Sequence, residues 1–437
     1  MIRVRLANES SPPIVKDGSR RFFSLIFVAL LLLDAVFSAG IASAFYVIAI
    51  VGCLFSTGWR IERKFLNLII PFLVLFLFGI FGAIFHPLYD VIKDVWYLVK
   101  IICALGVGYL LMHHLTSLQQ MIRLVIVAAV IAATLHLFQT AWYFQASTSL
   151  FELRNKIGGG YFVTVLGLGL LVGYKQIRKY IGFDIGFYYL AILLCVGSLV
   201  ISMSRTNIVS FILVCIILRG WVRPKSKSFL ILGLLGGGVA VMLFLGGLDS
   251  NRDETSLINK FSHSITEVSI SDYGDLSDIN ANWRGFEGYR ANLTYLQGNL
   301  PEKLFGQGFG SLIDLGFYMP LGGSDIRYLP IIHNGYMYLL IKFGFLGVLI
   351  YFYFIFKLIR INWKISTQKL VDLVLARRLI SSFGWVFLVS TLVITGVFNK
   401  SVFDSSLIIL GATMAWLNLQ NKPRISSGRL AALRLNN

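Results

Sequence analysis

His333 and Asn334 open an apolar run, HNGYMYLLIKFGFLGVLIYFYF, at the point where an 83-residue polar stretch (248–330) gives way to hydrophobic sequence. An imidazole at such a boundary can act as a general base, taking a proton from a hydroxyl near neutral pH. The plainer reading is an interfacial histidine bonded to a backbone carbonyl. If the run is helical throughout, His333, Met337, Leu340, Gly344 and Gly347 form one stripe, and its glycines admit a close neighbour. Asn334, Tyr336 and Tyr338 are candidates for hydrogen bonds to a sugar, although aromatic residues at a span end usually anchor it.

Cations follow. Arg205 sits in SMSRTNIVS between two apolar runs. A guanidinium at membrane depth costs about 2.5–3.5 kcal/mol, which an anionic partner would offset. Its bidentate donors suit a diphosphate; otherwise it snorkels to the surface. Arg284 and Arg290 lie in NWRGFEGYRANLTYLQGN (282–299), whose spacing predicts a helix capped by Asn282. Trp283, Phe286, Tyr289, Leu293 and Leu296 would share its apolar face. Arg290 falls close to that face, toward a shared cavity, and Arg284 turns away. Glu287, three residues from each, offers a surface ion pair instead. Lys100 stands mid-run in VWYLVKIICALGVGYLL, placed either to bind phosphate or to pair with a carboxylate such as Asp34.

Other chemistries find little support. Asp272, Asp275 and Asp278 match no calcium loop, and no DxD pattern offers a metal-bound nucleotide sugar. GQGFG (306–310) lacks the GK[ST] of a phosphate loop and reads as a flexible turn. Cys53, Cys103, Cys195 and Cys215 lie inside apolar runs without paired spacing, so neither disulfide nor metal framework is expected. No cofactor is implied.

These residues must be positioned by membrane helices. The chain has 437 residues, 57% of them hydrophobic, and a mean hydropathy of +0.76. Runs of about 17–25 apolar residues are the length of a transmembrane helix. Twelve are predicted, near 22–38, 40–57, 66–86, 93–112, 120–143, 159–174, 185–202, 205–218, 229–247, 331–357, 379–398 and 401–418. Net charge is +18, but stretch 248–330 holds 6 Lys/Arg against 11 Asp/Glu and the remainder 33 against 10. Basic residues cluster in alternate short connections and both tails, the positive-inside pattern. It predicts cytoplasmic termini, an uncleaved signal-anchor and an outward stretch 248–330, and offers no case for nucleic-acid binding. The expected organisation is an all-α polytopic membrane protein. Its parts are an N-terminal bundle (1–247), a periplasmic loop subdomain containing helices (248–330) and a C-terminal bundle with tail (331–437).

The H-N-x9-G-x2-G spacing, together with SMSRTN, the arginine-bearing loop segment and LFGQGFG, resembles the O-antigen ligase and polymerase superfamily of bacterial envelope glycosyltransferases. The resemblance spans much of the C-terminal half; the first five runs match only in hydropathy. It implies twelve spans in a GT-C-like arrangement in the inner membrane. It also implies inverting, metal-independent transfer of a glycan from undecaprenyl diphosphate on the periplasmic side. His333 would be the catalytic base, and Arg205, with Arg290 or Arg284, would hold the diphosphate. Ligases deliver polymer to lipid A core, whereas polymerases extend the next lipid-linked repeat, as for O-antigen or exopolysaccharide. The long loop favours the polymerase. Its partners would be the lipid-linked glycan, membrane lipid, and a chain-length regulator or flippase. A flippase for lipid-linked sugar is the reading from another class, and Lys100 and Arg205 would suit it too.

Overall fold

The computed structural model describes residues 17–56, 62–144, 160–222, 282–321, 323–364, 371–398 and 402–420, with residues 58, 157, 279 and 280 besides. The helices are α1 (Asp17–Val36), α2 (Ala39–Ser56), α3 (Arg63–Ala83), α4 (Leu88–Leu111), α5 (Leu118–Tyr143), α6 (Phe162–Gly173), α7 (Ile177–Ile181), α8 (Ile185–Ser202) and α9 (Arg205–Leu218). After them come α10 (Trp283–Gln297), α11 (Leu300–Phe305), α12 (Gly335–Arg360), α13 (Val371–Ile394) and α14 (Asp404–Gln420). Helices coincide with eleven of the expected spans. The ninth, 229–247, and the acidic trio Asp272, Asp275 and Asp278 lie outside the described residues. Among the described residues six helices, α3, α4, α5, α8, α12 and α13, are long and apolar enough to cross a bilayer. The protein is therefore a polytopic, multi-pass membrane protein.

The loop is not all helical. After α10 and α11 the chain forms an antiparallel hairpin, β1 (Ile313–Leu321) and β2 (Ser324–Leu329). Its register slips between Asp314 and Met319, a bulge that accommodates Gly316 at φ +86°. The all-α expectation is corrected here: alternation in IDLGFYMPL is broken by Gly316 and Pro320, which hides the strand period.

Packing in the bundle relies on small residues. α4 and α14 cross where a Cβ on Gly108 would lie 1.9 Å from the Ile408 carbonyl oxygen, and one on Gly411 2.1 Å from that of Leu105. Only glycine allows so close an approach. Helix starts follow capping chemistry. Ser117 accepts from the Gln120 N–H at the head of α5, and Asn299 with Glu302 forms a reciprocal capping box on α11.

The loop is keyed into the bundle by GQGFG. Phe309 seats its ring against Gly79 of α3 and its N–H donates to the Gly79 carbonyl at 2.8 Å. Gly308 meets the Gly82 backbone so closely that no side chain fits between them. The expected flexible turn is thus a fixed plug.

Candidate active site

The HNG segment is a built junction. Asn334 is the N-cap of α12, its carboxamide oxygen accepting from the N–H groups of Tyr336 (3.0 Å) and Met337 (3.2 Å). Gly335 follows because a Cβ there would strike Thr391 and Thr395 of the α13 end. Thr395, held at φ +65°, donates its hydroxyl to the Ile332 carbonyl (2.6 Å) and its N–H to that of His333. A β-branched residue in left-handed backbone is strained, and such strain persists only where the surroundings impose it. Here it fixes the backbone on which His333 stands.

His333 precedes the cap, so it does not lie on a helical stripe with Met337 and Leu340. Nor is the helix continuous: at Gly344 the backbone takes φ 68°, ψ −173°. The break frees the carbonyls of Ile341 and Lys342, and the N–H groups of Gln307 (2.8 Å) and Gly308 (3.1 Å) cap them. Gly344 itself abuts the Leu304 carbonyl group. In H-N-x9-G-x2-G, then, the asparagine caps the helix, the first glycine breaks it, and the second, Gly347, packs tightly against Phe343 and Leu75.

Beneath the break is a buried ion pair. Lys342 Nζ lies 2.6 Å from Asp94 Oδ2 of α4, and both side chains are buried. Lys342 also donates to the Ser311 carbonyl, and Asp94 accepts from the Gly310 N–H at 2.7 Å. Loop, α4 and the first segment of α12 are tied at one point. Breaking such a pair on one side costs about 3–5 kcal/mol, because it strands a buried charge.

The residue missed by sequence reasoning is Glu287. It is buried on α10, and its Oε2 accepts both from His333 Nδ1 at 2.8 Å and from the His333 backbone N–H at 3.0 Å. The glutamate side chain is 4% exposed and the imidazole 46%. A carboxylate only accepts, so Nδ1 carries the hydrogen. Nε2 is left as the basic nitrogen on an open ring, the arrangement by which a carboxylate orients a general-base histidine. The buried side of α10 is Gly285, Phe286, Glu287, Gly288 and Ala291, whereas Leu296 is exposed. The apolar face expected from spacing turns inward in part: Phe286 is buried and Trp283 packs on the core, while the inward side also takes in Glu287 and leaves Leu296 out. Asn282 makes no side-chain cap.

The other candidates divide. Arg284 is one turn from Glu287 and half-buried. Arg290 donates Nε to the Asp314 carbonyl at 2.9 Å and packs on Gly316, so it clamps the hairpin to α10. Next to it Arg327 grips Asp314 at 2.9 and 3.0 Å and holds that carboxyl down at about 2. Arg205 opens α9 behind the Ser204 cap. The far end of α9 meets the start of α13, where Arg378 donates to the Leu218 carbonyl at 2.9 Å. From there α9 rises about 20 Å to Arg205 and α13 about 24 Å to Ile394, at 1.5 Å per residue. Arg205 therefore stands at the same end of the bundle as His333.

Lys100 does not join this group. It is buried at 3.0 Å from Asp404 Oδ1, so of the two roles open from sequence it takes the pairing with a carboxylate, and Asp404 rather than the exemplified Asp34 is the partner in contact. Asn334 is engaged as a cap, the Tyr336 hydroxyl donates to the Leu388 carbonyl, and Tyr338 is buried beside Asp94. Among the described residues no three His, Cys, Asp or Glu side chains gather as a metal site.

No curated protein matches the chain. Residues 190–352 match the family model described as O-Antigen ligase. That stretch takes in Arg205, the α10 arginines, Glu287, the GQGFG plug, and His333 with the broken helix it precedes. Over those residues this membrane protein is similar to the O-antigen ligase family, which supports a relationship to the ligase and polymerase superfamily.

Proposed function

We propose that the chain is an inverting glycosyltransferase of the bacterial inner membrane. It would move a glycan from undecaprenyl diphosphate to a sugar hydroxyl on the periplasmic side, with both termini cytoplasmic and twelve spans in a GT-C-like bundle. The observation that carries this is the Glu287–His333 contact at 2.8 Å on a half-open imidazole. His333 Nε2 takes the proton of the attacking hydroxyl, and Glu287 stabilises the imidazolium that results. Arg205 and Arg284 neutralise the departing diphosphate, a preorganised stabilisation that needs no metal. Arg290 acts one step back, by holding the hairpin beside α10.

Extension of lipid-linked repeats, as an O-antigen or exopolysaccharide polymerase, is the reading we favour; delivery of polymer to lipid A core is the ligase alternative. A flippase is disfavoured by the Glu287–His333 pair, which translocation does not require. In cells, His333→Ala and Arg205→Ala are compared by resolving surface and lipid-linked glycans on a gel. A polymerase defect leaves single repeat units where a ladder stood, and a ligase defect strands full ladders on the carrier. Wild-type patterns from both variants at normal expression would refute the enzyme.

A further inference from the structure

A second group of ionisable residues lies within the bundle and shares no member with the His333 site. Lys100 of α4 pairs with Asp404 at the head of α14, each side chain 1% exposed. Asp34, near the end of α1, interacts electrostatically with both. Tyr46 of α2 is fully buried beside it, and Tyr161, which precedes α6, faces it from another side. From α5, His136 meets the Tyr161 ring edge-on at 6.0 Å and is bonded to Ser198 at 2.9 Å.

Among the described residues, two carboxylates here face one ammonium. Lys100 uses Asp404 Oδ1, while Asp404 Oδ2 is a buried oxygen with no hydrogen-bond partner among the described residues, and Asp34 Oδ1 has the Tyr46 hydroxyl beside it but outside close hydrogen-bond geometry. A buried carboxylate oxygen short of donors is costly as an anion, and uptake of a proton removes that cost. Beside the group is a cavity of about 130 Å³ whose lining includes Asp34, Gly160, Tyr161, Val402 and Ser405. It has room for several waters, whose access allows exchange. No third acidic, histidine or cysteine side chain joins the carboxylates among the described residues. A proton needs one oxygen only.

We propose that Asp34 and Asp404 hold one exchangeable proton between them, making the triad with Lys100 a neutral proton-binding site inside the bundle. Uptake converts one carboxylate to a carboxylic acid, with the proton drawn from cavity water; release returns it there. Ionisable groups at membrane depth characteristically mark such sites.

Infrared spectra of the full chain in lipid nanodiscs, titrated across neutral pH, test this. The wild type should show a carboxylic C=O band at neutral pH that shifts in D₂O. Asp34→Asn or Asp404→Asn should abolish it, and Asp34→Glu, which keeps the acid, should move it. A wild-type spectrum without that band overturns the proposal whether or not the variants fold, as does a band untouched in all three. Sodium in place of choline is the second arm. A wild-type melting temperature that rises with sodium, with the rise lost in Asp34→Asn, would show the charge to be an alkali ion and refute the proton.

Discussion

In Glu287→Gln the side chain keeps its length and loses its charge. Oε2 now receives two hydrogen bonds, from His333 Nδ1 at 2.8 Å and its N–H at 3.0 Å, from a position 4% exposed. The amide retains one acceptor, so the backbone bond survives and the loop stays docked. Two things are lost: the anion that stabilises a protonated imidazole, and the constraint that keeps hydrogen on Nδ1. Charge-assisted hydrogen bonds contribute about 1.5–3 kcal/mol to stability, so melting falls modestly. Losing the oriented base costs about 10²–10⁴ in kcat, or about 3–5 kcal/mol of transition-state stabilisation. The assay is glycan transfer by purified protein in lipid, with KM followed separately. A fall in kcat at unchanged KM is expected, and Glu287→Gln combined with His333→Ala should be no slower than His333→Ala alone. Activity of Glu287→Gln within threefold of wild type would refute the pairing as part of catalysis.

Two further outcomes follow from the loop. Gly344→Ala puts a Cβ at φ +68°, 2.4 Å from the Leu304 carbonyl carbon, and should destabilise by upward of about 2 kcal/mol. Gly52→Ala, where nothing lies near the Cβ, should be neutral or better; equal melting temperatures for the two variants would contradict this. In the hairpin, Arg327 draws the Asp314 carboxyl from its ordinary 3.8 to about 2. The folded value is the lower one, so this stabilisation is complete above 3.8 and is lost as pH falls through about 2. Hydrogen exchange of residues 313–329 over that window should show the loss, and Arg327→Gln should flatten it.

Hydropathy is a long-range average and locates most of the helices, since apolar runs can satisfy their backbone in a bilayer only by coiling. His333 stands out because a titratable ring at a span mouth is chemically conspicuous. Glu287 does not: between Arg284 and Arg290 it reads as a surface partner, and only the fold brings it across 46 positions to His333. The helix break is equally silent, because a glycine that packs and a glycine that turns left-handed are the same letter. Asn334 carried a legible capping signal, an asparagine just ahead of an apolar run, which its proximity to His333 obscured. Asp404 escapes notice because it opens a span and faces Lys100 only through the tertiary packing of α4 on α14.

The carbonyls of Ile341 and Lys342 bear on biogenesis. Left bare in hydrocarbon, each would cost several kcal/mol, so the first nine residues of α12 enter the bilayer only with Gln307 and Gly308 already alongside. Those partners precede the helix in the chain and are themselves held on α3 through Phe309 and Gly79. Burial of this helix segment and docking of the plug are thus coupled, so a change that undocks one should expose the backbone of the other.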